Sequence, residues 1–128
     1  MSKLATAILI IATTLSVGFA QTGQNQNEHP SRGVAPKMEN GIGRADVRVF
    51  DQNGNPVRNA FVKLESNRSD GFFCESWNDT DEFGIALLPP IHMGSLKLKV
   101  KAKGYHDEMI VVDRDHLGNP VQVTLRKK

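Results

Sequence analysis

Four histidines and a single cysteine are the residues of this chain best suited to metal binding or nucleophilic catalysis. They are His29, His92, His106, His116 and Cys74. A zinc site needs three or four closely spaced ligands, and none of these histidines lies in an H-E-x-x-H or H-x-x-E pattern. His106-Asp107-Glu108 and Asp113-Arg114-Asp115-His116 could approach each other, but both lie in or beside predicted loops. We therefore predict no metal site, no cofactor and no catalytic residue.

Two acidic segments begin like calcium-binding loops but lack the residues such loops require. Pro56 follows Asp51–Asn55 where a calcium loop needs glycine, and Phe83 occupies a ligand position after Asp79. Aspartate and glycine are also the residues that stabilise tight turns. We assign a structural role in turns to Asp51, Gly54, Pro56, Thr80, Asp81, Gly84, Pro89, Pro90, Gly104 and Tyr105.

The segment Phe72–Trp77 holds the main concentration of aromatic residues. On a strand, Phe73, Glu75 and Trp77 share one face because side chains alternate. Free cysteine is often buried, whereas glutamate resists burial without a partner, so Cys74 is expected to point inward. This makes Phe73, Glu75 and Trp77 a candidate surface for a ligand or partner. A core position for Trp77 is the alternative, since sandwiches often bury a tryptophan between their sheets.

The elements that would position these residues begin after residue 42. Residues 1–20 resemble a signal peptide: Lys3 precedes an uncharged stretch that ends in Gly18-Phe19-Ala20. A membrane anchor is the alternative, but the stretch is short and contains threonine and serine. Residues 21–42 are polar and predict a flexible linker. We expect a secreted or periplasmic protein with no membrane span after cleavage, and with one domain at 43–128.

Charge gives little indication of a partner. The chain has 16 lysines and arginines against 14 acidic residues. Lys97, Lys99, Lys101 and Lys103 alternate with apolar residues, which places them on the solvent face of a strand. Clustered basic residues with aromatics would indicate nucleic-acid binding. We predict no nucleic-acid partner and a monomer.

Alternation of apolar and polar residues, interrupted by turn signals, predicts about seven short strands. The strand candidates are Ala45–Val49, Ala60–Leu64, Phe72–Trp77, Ile85–Leu88, Leu96–Ala102, Met109–Val112 and Val121–Leu125. Asn53-Gly54 is a typical tight-hairpin signal between the first two. The pattern predicts an all-β fold: a small, Ig-like antiparallel β-sandwich.

Four motifs occur in a specific order: D-x-x-G-x-P-V-x-x-A-x-V-x-L, T-D-x-x-G, L-P-P and a final A-x-G-Y. The matching residues are Asp51, Gly54, Pro56, Val57, Ala60, Val62, Leu64, Thr80, Asp81, Gly84, Leu88, Pro89, Pro90, Ala102, Gly104 and Tyr105. On this basis the chain from Gly43 to Leu125 resembles the carboxypeptidase regulatory-like domains, which are transthyretin-like sandwiches. It departs from that pattern at Ala86 and Leu96, and by an insertion, Ile91–Met93.

The resemblance implies an accessory module with a binding, scaffolding or stabilising role at the cell envelope or outside the cell. Its partner would be a protein or a carbohydrate. One alternative is a carrier of a carbohydrate or another small ligand. A second is a divergent transthyretin-like hydrolase, which would bring His92, His106 and Arg114 into one pocket. A flat surface with exposed Phe or Trp would favour the binding functions.

Overall fold

Alternating apolar residues build most of the strands in this protein. The structure is a computed structural model and describes residues 29–128. The predicted signal peptide, 1–20, and linker residues 21–28 lie outside the described residues. Within the described range the strands are β1 (Ile42–Gly43), β2 (Asp46–Asp51), β3 (Phe61–Asn67), β4 (Phe73–Asp79), β5 (Ile85–Leu87), β6 (Ile91–His92), β7 (Ser95–Lys101), β8 (Glu108–Val112) and β9 (Val121–Leu125), with a short 3₁₀ helix at Arg114–His116.

The strands form two main sheets, which confirms the predicted small all-β sandwich. One sheet has the strand order β4-β3-β7-β8 and the other β5-β2-β9. Each of the seven predicted strands has its counterpart in the structure. The two additional strands, β1 and β6, pair only with each other, and β6 is formed by the insertion before Gly94.

The sequence predicts an antiparallel sandwich, but β2 and β9 pair in parallel. Their register runs from Val47↔Val121 to Asp51↔Leu125. All other strand pairs are antiparallel. The chain leaves β8 in the four-stranded sheet and turns through the 3₁₀ helix before entering the other sheet as β9. Periodicity defines the two faces of a strand but not the direction of its neighbour, so this pairing was not predictable from the pattern.

The core lies between the two sheets. Alternate residues of β3 and β7 point into it and are almost fully buried, as the pleat requires. The largest fully buried apolar side chains are Leu64, Leu88, Met93, Leu98, Leu117 and Leu125.

Strand β2 is buried on both faces, whereas its alternation predicts a half-buried strand. Val47 points into the core, and Asp46 and Arg48 on the opposite face are buried as well. The backbone N–H of Arg32 donates to Asp46 Oδ2 at 2.9 Å, so the chain before β1 packs against this face. The compact unit accordingly begins at Ser31, before the predicted boundary at residue 43. Composition alone could not show these backbone contacts.

The turn after β2 does not form the predicted hairpin between the first two long strands. Asp51 Oδ1 accepts hydrogen bonds from the N–H groups of Asn53 and Asn55, and Gly54 adopts a φ of 85°. The chain doubles back only as far as Pro56, which forms a bridge with Phe50, and then crosses to the other sheet. Strands β2 and β3 are therefore not neighbours.

A second turn joins the sheets after β4. Buried Thr80 donates through Oγ1 to the Val57 carbonyl at 2.6 Å and accepts from the Ala60 N–H. Asp81 Oδ1 accepts from the backbone of the following turn, where Gly84 has a φ of 76°. This turn therefore holds the start of β3 against the end of β4.

The remaining predicted turn residues also lie between strands. Pro89 and Pro90 separate β5 from β6. After β7, Gly104 has a φ of 87°, and Tyr105 forms a bridge with Lys127.

Candidate binding face

The outward surface of the four-stranded sheet collects the exposed aromatic residues of its strands. We call this surface the outer face and define it by four rows of residues that pair across the strands. The rows are Phe73-Asn67-Ser95, Glu75-Glu65-Lys97-Val111, Trp77-Lys63-Lys99-Met109 and Asp79-Phe61-Lys101. Because each strand contributes every second residue, neighbouring rows lie about 7 Å apart.

Phe73 and Trp77 lie on the outer face with exposed fractions of 52% and 55%. Glu75 lies between them, as predicted, and Ser76 on the opposite side of the strand is buried. The alternative core position for Trp77 does not hold. Cys74 is half-buried on the inward side of β4, opposite Ser66.

Two side chains on β4 tie this strand to the chain around β5. Ser76 Oγ donates to the Pro89 carbonyl, and Asn78 Nδ2 donates to the Leu87 carbonyl at 3.0 Å. β4 is an edge strand of its sheet. These bonds therefore hold the aromatic strand in place on the side where it has no neighbouring strand.

A buried serine anchors the opposite end of β3. Ser66 Oγ donates to the His92 carbonyl at 2.9 Å and accepts from the Gly94 N–H at 2.8 Å. This joins β3 to the segment between β6 and β7. The buried Ser66 side chain therefore fixes this end of β3, which lies beneath the Phe73-Asn67-Ser95 row of the outer face.

Ion pairs link three strands across the middle of the outer face. Glu65 Oε2 lies 3.1 Å from Lys99 Nζ and 3.3 Å from Lys63 Nζ. Lys63 Nζ is also 3.4 Å from Glu75 Oε2. Lys63 and Lys99 are directly opposed like charges, and Glu65 offsets their repulsion by pairing with both.

The same contacts shift the pKa values of Glu65 and Lys63. Hydrogen bonds from Lys99 and then Lys63 lower the pKa of Glu65 below its ordinary value. Hydrogen bonds to Glu65 and then Glu75 raise the pKa of Lys63. Both shifts favour the charged forms of Glu65 and Lys63.

Three exposed apolar residues of the outer face were not among the predicted site residues. Phe61 lies at one end of β3, and Met109 and Val111 lie on β8 with exposed fractions of 58% and 83%. Met109–Val112 is apolar at every position, so alternation could not show which side chains point outward. The register between β7 and β8 decides it, because it pairs Lys97 with Val111 and Lys99 with Met109.

A surface pocket of about 560 Å³ lies at one end of the β3–β7–β8 surface. Its polar lining includes Arg68, Asn67, Arg114 and Asp113. Arg68 forms an ion pair with Asp70, and its guanidinium carbon lies 5.4 Å from the centre of the Phe72 ring. Asp113 accepts from the Asp115 N–H and from His116 Nδ1, and these bonds lower its pKa. Arg68 and Asp113 therefore already have partners within the protein, although Arg68 Nε is buried and makes no hydrogen bond within the described residues.

The predicted catalytic alternative has no matching geometry in this pocket. Arg114 lines it, but neither His92 nor His106 is among its lining residues. His92 Nδ1 lies 2.9 Å from the Asn40 carbonyl, and exposed His116 pairs with Asp113. Within residues 29–128, no three or more His, Cys, Asp or Glu side chains gather in a way that could hold a metal ion.

Two further observations bear on identity. In the described part of the chain, no helix has the length and hydrophobicity that crossing a membrane requires. Comparison with protein-family models and with curated protein sequences finds no match to this chain. The resemblance to carboxypeptidase regulatory-like domains therefore stays a prediction from sequence motifs.

Proposed function

We propose that this protein is an exported, non-catalytic binding module whose partner contacts the outer face. The observation that carries the proposal is the exposure of Trp77 and Phe73 on one side of β4, beside an ordered group of charges. Removing large aromatic surface from water is favourable, so exposed aromatics of this kind mark interaction sites. The motif resemblance to accessory domains agrees with this role.

A protein partner fits the composition of the face. Aromatic residues are enriched in the centres of protein interfaces and often dominate the binding energy. The charged network beside Trp77 is already paired within the molecule. Its side chains are therefore ordered before binding, which reduces the entropy lost when a partner docks.

A carbohydrate is the second candidate, favoured by the spacing of the aromatics. Trp77 lies four residue steps after Phe73 on an extended strand, which corresponds to about 13 Å along β4. Two exposed rings at that separation on one edge of a sheet could stack against successive units of an extended oligosaccharide. Lys63 and Glu75 would supply hydrogen-bonding groups between the rings.

Crosslinking from position 73 tests the protein-binding function. A photoreactive phenylalanine analogue placed at Phe73 should crosslink to a discrete partner in the envelope or secreted fraction. The matched control places the analogue at Phe83, an exposed aromatic in the turn before β5. A Trp77→Ala substitution in the same chain should abolish the crosslink from position 73. Equal crosslinking from both positions, or no effect of Trp77→Ala, would contradict the proposed site.

Tryptophan fluorescence tests the carbohydrate alternative. Trp77 is the single tryptophan of the chain, so its emission reports on the outer face without further labelling. Oligosaccharide binding should shift the emission to shorter wavelength and protect it from an aqueous quencher. A panel of oligosaccharides that leaves the emission unchanged, together with a Trp77-dependent crosslink, would assign the face to a protein partner.

A further inference from the structure

The two edges of the four-stranded sheet are protected very differently. The β4 edge carries Glu75 and Asp79 and is tied to the β5 region by the bonds of Ser76 and Asn78. At the other edge, β8 pairs with β7 alone. Within the described residues, no backbone hydrogen bond joins Met109–Val112 to any segment other than β7.

Glu108, the first residue of β8, is charged and pairs with Arg126 at 3.6 Å, but the rest of the strand lacks the features that usually protect an edge. Natural proteins place charged residues, proline or a bulge at exposed edges to prevent strand addition. Met109–Val112 contains neither a charge nor a proline. Met109 and Val111 are exposed on the outer face, and Ile110 and Val112 are only half-buried on the inner side. Apolar surface is therefore left open on both faces of this edge.

We propose that β8 pairs with β8 of a second copy of this chain, antiparallel and centred on Ile110. In this register Met109 lies opposite Val111 of the other copy, and Ile110 lies opposite its own equivalent. Glu108 lies opposite Val112, so no like charges are directly opposed. Within Glu108–Val112 the strand is thus complementary to itself, which is the property that a twofold interface requires, and the like charges of Asp107 and Asp113 meet only beyond its two ends.

The lysines of the outer face do not oppose this pairing. Lys97 and Lys99 lie on β7, one strand inward from the edge. In the dimer the two β7 strands are three strand spacings apart, or about 14 Å, which exceeds the screening length at physiological salt. Met109 and Val111 of both copies fill the space between the lysines.

The dimer has a consequence for the outer face. Antiparallel pairing of β8 makes one continuous sheet whose twofold axis is perpendicular to it. The outer faces of the two copies therefore point the same way, with their β4 strands about 33 Å apart. A partner with two contact points would gain avidity from such an arrangement.

Charge substitutions on β8 test the dimer without disturbing the monomer. A Met109→Glu/Val111→Glu variant places glutamates beside Lys97 and Lys99 of its own chain, which favours the folded monomer. Across the interface, however, each glutamate would face a glutamate of the other copy. In sedimentation velocity of the purified protein, the unsubstituted chain should show a concentration-dependent dimer, and this variant should dissociate at least tenfold more readily. The matched control is Gln122→Glu/Thr124→Glu on β9, two exposed positions with the same spacing, and it should dimerise like the original.

Mixing two variants tests the register. A Met109→Lys/Val111→Lys variant should not self-associate, but it should form a heterodimer with the double glutamate variant because each lysine then faces a glutamate. The dimer proposal is overturned if the original chain stays monomeric up to about 1 mM, or if the double glutamate variant dimerises as well as the original. Failure of the mixed variants to associate would overturn the register. None of these results depends on the partner of the outer face.

Discussion

Asp46 and Arg48, two residues apart on β2, form an ion pair of 3.1 Å in which the side chains are only 0% and 6% exposed. The carboxylate also accepts the Arg32 N–H, so this pair joins the central strand of the three-stranded sheet to the chain before β1. A buried charge without its partner is strongly unfavourable. The position of the chain around Arg32, at the start of the folded unit, is therefore fixed by a carboxylate on β2.

Removing one member of this pair should destabilise the fold. We expect Asp46→Ala to lower the free energy of unfolding by about 3–5 kcal/mol, because it leaves the Arg48 charge buried. An Asp46→Leu/Arg48→Met double variant should lose much less, since both members of the buried ion pair are then apolar. Urea unfolding of both variants provides the measurement. A double variant as unstable as Asp46→Ala would contradict the ion-pair explanation.

Truncating the aromatic residues of the outer face should barely affect stability. Phe73→Ala and Trp77→Ala remove side chains that are about half exposed, so each should change the free energy of unfolding by about 0.5 kcal/mol or less. Leu98→Ala, in the core, is the comparison and should cost about 2–5 kcal/mol. Denaturant unfolding measures all three. A loss at Trp77 as large as that at Leu98 would place the tryptophan in the core.

Gly94 should not tolerate a side chain. A Cβ at this position would lie 2.1 Å from the Asn67 carbonyl oxygen and 2.6 Å from Arg68 Cα, both backbone atoms. We expect Gly94→Ala to cost about 1–3 kcal/mol, the usual range for overpacking. Gly118→Ala is the matched control, because a Cβ there meets no atom within 4 Å. Equal melting temperatures for the two variants would argue against the close approach of β3 and β7 at Gly94.

Stability should fall in acid partly through Glu65. Its pKa is lowered in the folded state, so its contribution is present above the ordinary value of 4.5 and is lost as the pH falls through the folded value. Asp51 and Asp113 have lowered pKa values too, because backbone N–H groups of Asn55 and Asp115 donate to them. A Glu65→Gln variant should therefore lose stability less steeply than the original between about pH 6 and pH 3, without losing the slope altogether. Identical slopes would show that the network does not stabilise the fold.

Export predicts a defined amino terminus. If residues 1–20 are a signal peptide, the intact mass of protein from the native host should match a chain that starts at Gln21. Full-length chain in the membrane fraction would favour the anchor alternative instead.

The sequence by itself determined the strands and most of their turns. Apolar alternation in segments such as Leu96–Ala102 defines a strand and its two faces, because the pleat has a period of two. The Asp51–Gly54 turn was predictable for a similarly local reason, since aspartate accepts backbone N–H groups and glycine adopts positive φ at little cost. The outward position of Phe73 followed from its neighbours, Cys74 and Glu75.

Only the tertiary structure decided which strands are neighbours and which faces are covered. The parallel pairing of β2 with β9, the burial of Asp46 and the open edge at β8 all depend on contacts between residues far apart in the chain. Alternation shows that a strand has two faces, but the second sheet and the chain before β1 determine whether either face meets solvent. The exposure of Met109 and Val111 could not be predicted for the same reason. Both faces of a fully apolar strand have the same pattern, so only its register with β7 shows which side chains point outward.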